Sequence, residues 1–435
     1  MMPLPDSSGT TAAPAPPAAA LTSPTTSLTD WINGLLAATL IALCMLDAGN
    51  YVGGVLLDTT TKVVYYPMLA MAGLILLTTS RLALGRLRPA ILLFAGVYCA
   101  LNLLHALFYI VDAAGESREI AITRIQYMLL ALAIVTVATV LPRIVLARVF
   151  AVCAVLVSGS ILFDFLFPFT LYEITTKGLT PGRVGGFYID PNKAGEAAVL
   201  TALLAMPALT RRSAAAIMVL AGAAVVVTFS RSGMVAWLLT ACLFVLVGKI
   251  TRAQVLVVVL AGAVLALSGT AVQWLVLNAD LPSVNAADVL NRLEFLGTGD
   301  LRDDSAQERA AVRAAGFEVF LAHPWAGAGA GATHLWEYSV APHNQLVLMA
   351  AEYGLTGVAG WLTLVALVLT GNYFGNWKVQ AGCAAIVVLY SMTTHNMLDF
   401  PYWLITLLIV SMHYRSGAAP ERAPAIAAAS SITAS

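Results

Sequence analysis

Apolar runs long enough to cross a bilayer recur along almost the whole of this 435-residue chain, separated by short stretches that hold the charges, glycines and prolines. Spanning a hydrocarbon core of ~30 Å takes roughly 20 apolar residues in a helix, the one single-segment structure that satisfies its own backbone polar groups in lipid. About twelve such runs are predicted, near 31–48, 63–80, 89–111, 119–141, 144–167, 194–210, 213–229, 232–248, 253–276, 343–371, 379–396 and 400–414. Runs six to eight are short and closely spaced, which also suits tilted or broken helices. With 60% hydrophobic and 11% charged residues, the chain falls well below the roughly 25% charged content of soluble domains. The expected fold class is therefore all-α, a polytopic membrane protein of about 12 transmembrane helices. Lys+Arg and Asp+Glu balance at 23 each, so no net charge points to nucleic acid as a partner. The five cysteines all lie in apolar stretches and fit neither a disulfide framework nor a zinc site.

Basic residues in the short connections assign the sides, because Lys and Arg near span ends are retained in the cytoplasm. Arg81, Arg86 and Arg88 follow the second run, Arg143 and Arg148 the fourth, Arg211 and Arg212 the sixth, and Lys249 and Arg252 the eighth. All four connections belong on one side, and both termini with them. Residues 1–29 and 416–435 are rich in Ala, Pro, Ser and Thr and are expected to be disordered cytoplasmic tails flanking a membrane domain at 30–415. The outer face then receives connections 168–193 and 229–232 and a long loop, 277–342, between the ninth and tenth runs. In that loop Ser305 and Glu308 form a capping-box start to an amphipathic helix ended by Pro324. Arg309 and Arg313, four apart, are expected to share one face of it with Phe317.

Arginine beside an apolar helix needs a reason, since a charge at mid-membrane costs about 2.5–3.5 kcal/mol even on the lenient insertion scale. Arg231 lies in the tight hairpin Thr228-Phe229-Ser230-Arg231-Ser232-Gly233. It either snorkels to headgroups or binds an anion together with hydroxyls such as Ser230. The segment from Gly182 to Lys193 precedes an apolar helix that Asp190 or Asn192 can cap. It is either a simple glycine-rich connection or a phosphate site made of helix amides, Arg183 and Lys193. His343 and Asn344 stand where the long loop re-enters the membrane, with Glu352 nine residues beyond His343. A lone histidine is more often structural, yet this one lies at the water-facing end of a run beside a basic helix, where an imidazole is suited to proton transfer. His395 lies on the same side and is a possible lining residue, whereas His105 falls mid-run and is expected to pack.

Gly327-Ala328-Gly329-Ala330-Gly331 lacks the dinucleotide-binding spacing and a surrounding strand–helix unit, and is expected to be a flexible turn. There is no P-loop, no H-E-x-x-H and no D-x-D, so the sequence suggests neither a metal nor a cofactor. Several guanidiniums, few carboxylates and one imidazole suit a lipid pyrophosphate ester, because arginine forks bind phosphate oxygens and stabilise charge on a departing pyrophosphate.

Gly185-Gly186-Phe187 through Pro191-Asn192, the hairpin at 228–233, the Pro324–Gly331 turn and Pro342-His343-Asn344 followed by Glu352-Tyr353-Gly354-Leu355-Thr356-Gly357 occur in that order. Together they resemble the O-antigen ligase/polymerase superfamily over roughly 180–400, and its ligase branch most. The resemblance implies a GT-C-like fold in the bacterial inner membrane. It also implies metal-independent, inverting transfer of O-antigen from undecaprenyl pyrophosphate to lipid A-core at the periplasmic face. By position, His343 matches the family's essential histidine, Arg231 its hairpin arginine, and Arg309 and Arg313 the basic residues of the periplasmic helix. Arg183 is a looser match. Two sister activities share the donor, O-antigen polymerisation and transfer to a protein hydroxyl. A transporter for an anionic lipid or solute predicts functional charges on both faces and an internal repeat, and the sequence carries neither.

Overall fold

A computed structural model describes residues 28–79, 87–108, 115–167, 170–172, 183–256, 304–338, 340–394 and 396–414, with the backbone alone at 304–307. Helices occupy eleven of the twelve expected positions: α1 Leu28–Met45, α2 Lys62–Thr78, α3 Pro89–Phe108, α4 Glu116–Ala138, α5 Arg143–Leu166, α6 Pro191–Ala205, α7 Arg211–Val227, α8 Arg231–Leu246, α10 Gln345–Leu369, α11 Trp377–Thr393 and α12 Pro401–Val410. The remaining helix, α9, is Asp304–Ala322, in the predicted loop. Most of the ninth run, residues 257–303 of the chain, His395 and both tails lie outside the described residues. No strand occurs among the described residues. Five helices, α1, α3, α4, α5 and α10, are long and apolar enough to cross a membrane by length and composition.

Local chemistry sets the helix starts. Asp190 caps α6, its carboxylate accepting the Asn192 amide at 2.8 Å with Pro191 in the first turn. Thr210 and Ser213 form a reciprocal capping box on α7, Ser230 caps α8, and Asn344 caps α10. A short π-helix, Gly49–Leu56, follows α1.

Two of the expected spans differ in kind from the rest. Every residue of α12 is buried, and so is all of α6 apart from Asn192 and Lys193. At ten residues and 1.5 Å per residue, α12 is only about 15 Å long. It packs against α1, α4, α6 and α10, so the run expected over 400–414 holds a short helix at the centre of the bundle. The surrounding helices turn large apolar side chains outward, such as Leu77, Leu93, Leu104 and Val152. Exposed apolar surface of this extent has its counterpart in acyl chains, not in water.

The basic connections converge at one end of the bundle. Arg88 donates to the Ser411 carbonyl at 2.7 Å and the Leu367 carbonyl at 3.3 Å. Arg143 donates to the Tyr373 carbonyl, whose phenol reaches the Leu204 carbonyl at 2.7 Å. Arg211 reaches the Gly248 carbonyl, and Lys249 the Leu209 carbonyl. Arg81 and Arg86 lie outside the described residues. The alternation of helices carries the 183–193 turn, the 228–231 hairpin, the start of α10 and the break between α11 and α12 to the opposite end.

Candidate active site

The glycine-rich turn before α6 is built on a carboxylate from α5. Asp164 accepts the amides of Gly185 and Gly186, each at 3.1 Å, and the Tyr172 hydroxyl at 2.5 Å. Gly186 has φ +56°, and a Cβ there would lie 2.6 Å from Ser160 Oγ, so a side chain would displace the turn. The turn delivers Arg183 to the α7–α8 hairpin. There its guanidinium donates to the Thr228 carbonyl from Nε at 3.0 Å and Nη2 at 2.7 Å, and from Nη2 to Asn192 Oδ1 at 3.0 Å. Arg183 is buried, so it ties together the two segments that sequence reasoning singled out separately. Ser230 Oγ accepts the Gly233 amide at 3.3 Å, which starts α8 with Arg231 as its first residue. Gly195 of α6 lies against this hairpin, close enough that a Cβ would meet Thr228 and Ser230 at 3.3 Å. Lys193 places its ammonium 3.9 Å from the Phe400 ring centroid, a cation–π contact.

His343 stands two residues before α10. Burial, followed by the Arg309 charge, lowers its pKa to about 4, opposed by Asp190, Glu308 and a hydrogen bond to the Thr393 backbone. The imidazole is thus neutral at physiological pH, with one ring N–H on the end of α11. The same set of interactions places Arg309 of α9 and Asp190 of the 183–193 turn in its electrostatic field. Arg313, one turn further along α9, is exposed. The side of α9 facing the α10 start carries Val312, fully buried, and Gly316, where a Cβ would lie 2.8 Å from Val347 and 3.0 Å from Pro342. Arg309 is half-buried near this side, while Arg313 and Phe317 are exposed. Asn344 Oδ1 is engaged with the Val347 amide at 3.1 Å.

Glu352 anchors a buried polar cluster that sequence reasoning did not assemble. Arg124 of α4 pairs with Glu352, and binds Asp399 through Nε at 2.5 Å and Nη2 at 3.0 Å. It also donates to the Tyr353 hydroxyl at 2.8 Å, which donates in turn to Asn102 Oδ1 at 2.6 Å. The other Glu352 oxygen accepts Thr333 Oγ1 at 2.6 Å and lies 3.4 Å from His334 Nδ1. The signal for Arg124 was present, a single arginine inside an apolar run. Nothing local pointed to its partners, which are 228 and 275 residues away. A second buried carboxylate, Glu196, accepts from Thr394, from Trp403 Nε1 at 2.9 Å and from Tyr402 at 3.1 Å, and so links α6 to the start of α12.

The 324–331 turn is pinned where a flexible turn was expected. Within α10, Gly354 adopts φ 62°, ψ −147°, and the helix kinks there. The carbonyls of Ala351 and Glu352 accept the amides of Ala328 at 2.8 Å and Gly329 at 3.1 Å, and the Leu355 amide reaches the Pro324 carbonyl at 2.7 Å. Backbone groups freed by the kink are thereby satisfied by the turn. At Gly327, φ +75°, a Cβ would sit 2.2 Å from the Glu352 carbonyl carbon, so the glycines here permit backbone contact and do not cradle a phosphate. His105 packs as expected, stacked on Tyr353 at 4.8 Å.

A family model described as O-antigen ligase (Wzy_C) matches residues 216–362. Over this segment the chain is similar to the O-antigen ligase/polymerase superfamily. The matched third of the chain runs from within α7 to within α10, and so holds Ser230, Arg231, Arg309, Arg313, His343, Asn344 and Glu352. Arg183, Asn192, Lys193, Arg124, Asp399 and His395 lie beyond it. No curated protein matches the chain. Proteins of that family are membrane enzymes of lipid-linked sugar chemistry, and the apolar helices of this chain agree with a multi-pass membrane setting.

Proposed function

We propose that this protein is an O-antigen ligase, transferring O-polysaccharide from undecaprenyl pyrophosphate to a sugar hydroxyl of lipid A-core. The observation that carries this reading is the half-buried, neutral His343 beside Arg309, at the bundle end that also holds Arg183 and the Arg231 hairpin, opposite the basic connections. In this reading that end faces the periplasm, the two tails are cytoplasmic, and the ninth run completes twelve spans of an inner-membrane, GT-C-like enzyme.

The donor pyrophosphate binds among Arg231, Arg309 and the amides at the start of α6, with Arg183 and Asn192 holding the hairpin in place and Lys193 adding positive charge nearby. Guanidinium forks match phosphate oxygens in pairs and stabilise the charge that grows as the sugar C1–oxygen bond to phosphate breaks. The acceptor hydroxyl attacks C1 from the opposite side and its proton passes to the His343 imidazole, so the anomeric centre inverts and undecaprenyl pyrophosphate leaves. Occupation of the site by an anion offsets the Arg309 charge that depresses the imidazole, making His343 a stronger base when donor is bound than when it is absent.

The test is reconstitution of purified protein with undecaprenyl-pyrophosphate-linked glycan and lipid A-core in EDTA, read by the lipopolysaccharide gel ladder. A wild-type ladder that His343→Ala and Arg231→Ala abolish supports a ligase that needs no metal. Growth of glycan on the lipid carrier assigns a polymerase instead, transfer to a protein assigns the other sister activity, and donor that no acceptor consumes overturns the enzyme reading.

A further inference from the structure

Two buried amide groups near His343 each have an atom without a hydrogen-bond partner among the described residues: Gln345 Nε2, a donor, and Asn396 Oδ1, an acceptor. They are mechanically joined. Gln345, fully buried, accepts the Met397 amide through Oε1 at 2.8 Å, and Met397 is the residue after Asn396. Asn396 has left-handed backbone, φ 63°, in the break between α11 and α12. Its Nδ2 lies 2.8 Å from His334 Nε2, and the opposite ring nitrogen of His334 faces Glu352.

We propose that His334 is a positioning residue for the transfer reaction, acting through the Asn396 and Gln345 amides on the segment that carries His343. The inference rests on the ligase reading above.

Donor and acceptor roles along the chain follow from the tautomer. With a proton on Nδ1 alone, His334 donates to Glu352 and accepts from Asn396 Nδ2, which holds Asn396 in place next to Met397, whose amide Gln345 accepts. A second proton, on Nε2, sets N–H against N–H. Asn396 must then turn its oxygen to His334, which strains the backbone it shares with Met397, the residue Gln345 holds. That strain is relieved by weakening the Gln345–Met397 bond, which loosens the α11–α12 break from the start of α10. His343 spans that same junction, two residues before Gln345 and hydrogen-bonded to the Thr393 backbone.

The charged and titratable groups facing His334 are Glu352 of α10, Asp399, with an oxygen 3.8 Å from Nε2, and Arg124 of α4. Burial alone lowers the His334 pKa, but the Glu352 hydrogen bond and charge, followed by Asp399, carry it above the ordinary value. His334 therefore gains its second proton at a higher pH than His343 does, and the acid side of the pH profile should belong to His334.

The experiment uses full-length protein in nanodiscs and two readouts across pH 4.5–9. The first is kcat for glycan transfer in wild type, His334→Gln and His334→Ala. Glutamine reaches the Nε2 position and keeps a bond to Asn396 without titrating. We expect His334→Gln to hold kcat within a few-fold of wild type at high pH while its acid limb moves down by at least one pH unit. We expect His334→Ala to lose roughly tenfold or more in kcat, the equivalent of one misplaced hydrogen bond in the transition state. The second readout needs no substrate: the rate at which diethylpyrocarbonate modifies His343, followed by mass spectrometry. In wild type that rate should show an inflection at the His334 titration, absent in His334→Gln. A His343 profile identical in wild type and His334→Gln overturns the relay, whatever the transfer assay shows. If no acceptor supports transfer, the ligase reading fails while the modification profile still decides the relay.

Discussion

Replacing Arg124 by methionine tests the buried cluster most directly. The guanidinium is 3% exposed and faces Glu352, fully buried, and Asp399, 19% exposed. Methionine fills a similar volume but, among the described residues, leaves Glu352 with Thr333 and His334 and Asp399 without its two-pronged contact. Breaking a buried pair by removing one partner costs about 3–5 kcal/mol, mostly from the carboxylate left uncompensated. Glu352→Gln removes one carboxylate but leaves Arg124 on Asp399, so its cost falls near about 1–3 kcal/mol. If the two residues form one unit, Arg124→Met/Glu352→Gln should fall short of the summed single losses by about 1–3 kcal/mol. The assay is equilibrium unfolding of detergent-solubilised protein in SDS, followed by far-ultraviolet circular dichroism. A loss below about 1 kcal/mol for Arg124→Met, or an additive double variant, would refute the claim that this cluster pins α4, α10 and the α11–α12 break together.

Arg309→Ala should lower kcat/KM for the lipid-linked donor by more than about tenfold and raise the His343 pKa in the substrate-free protein, shifting the acid limb of its diethylpyrocarbonate modification upward. Arg313→Ala, exposed on α9, should change the same kcat/KM by less than about threefold. Gly327→Ala forces a methyl against the Glu352 carbonyl at a left-handed φ and should cost more than about 2 kcal/mol in the SDS titration, whereas Gly360→Ala, with open space around it, should be close to neutral. Arg183→Met should weaken donor binding by roughly tenfold through the loosened Thr228 hairpin, seen as a raised KM in the transfer assay.

The positions of most helices were legible because an apolar run of spanning length has few alternatives, and the arginines that follow alternate runs do gather at one end of the bundle. One cap was legible too, Asp190, which accepts a helix amide two residues on; Ser230 and Asn344 cap their helices in the same way but stood out in the sequence only as candidate site residues. What stayed hidden is what folding brings together from afar. Arg124 belonged to an apolar run whose pattern absorbs one charge without comment, and its meaning lies in Glu352 and Asp399. The 324–331 glycines carry the same letters as a loose turn, and only the kink at Gly354 gives them a partner. Arg309 and Arg313 share a stripe by spacing, yet a small rotation of α9 against Pro342 and Val347 puts one toward His343 and the other in the open. His334 had no neighbour in sequence to distinguish it from any loop histidine.

The brevity of α12 bears on how the chain is made. At about 15 Å it cannot bridge the hydrocarbon core by itself, and every one of its ten residues is buried by other helices. A nascent Pro401–Val410 leaving the ribosome has no stable transmembrane state until α1, α4, α6 and α10 stand ready around it. Glu196 adds a chemical condition to this timing, since its carboxylate waits in the bundle without Tyr402 and Trp403 until α12 arrives. Assembly of the bundle core is therefore a late, post-insertion event, and a chain truncated before residue 400 should persist in the membrane as a loosely packed, protease-sensitive intermediate.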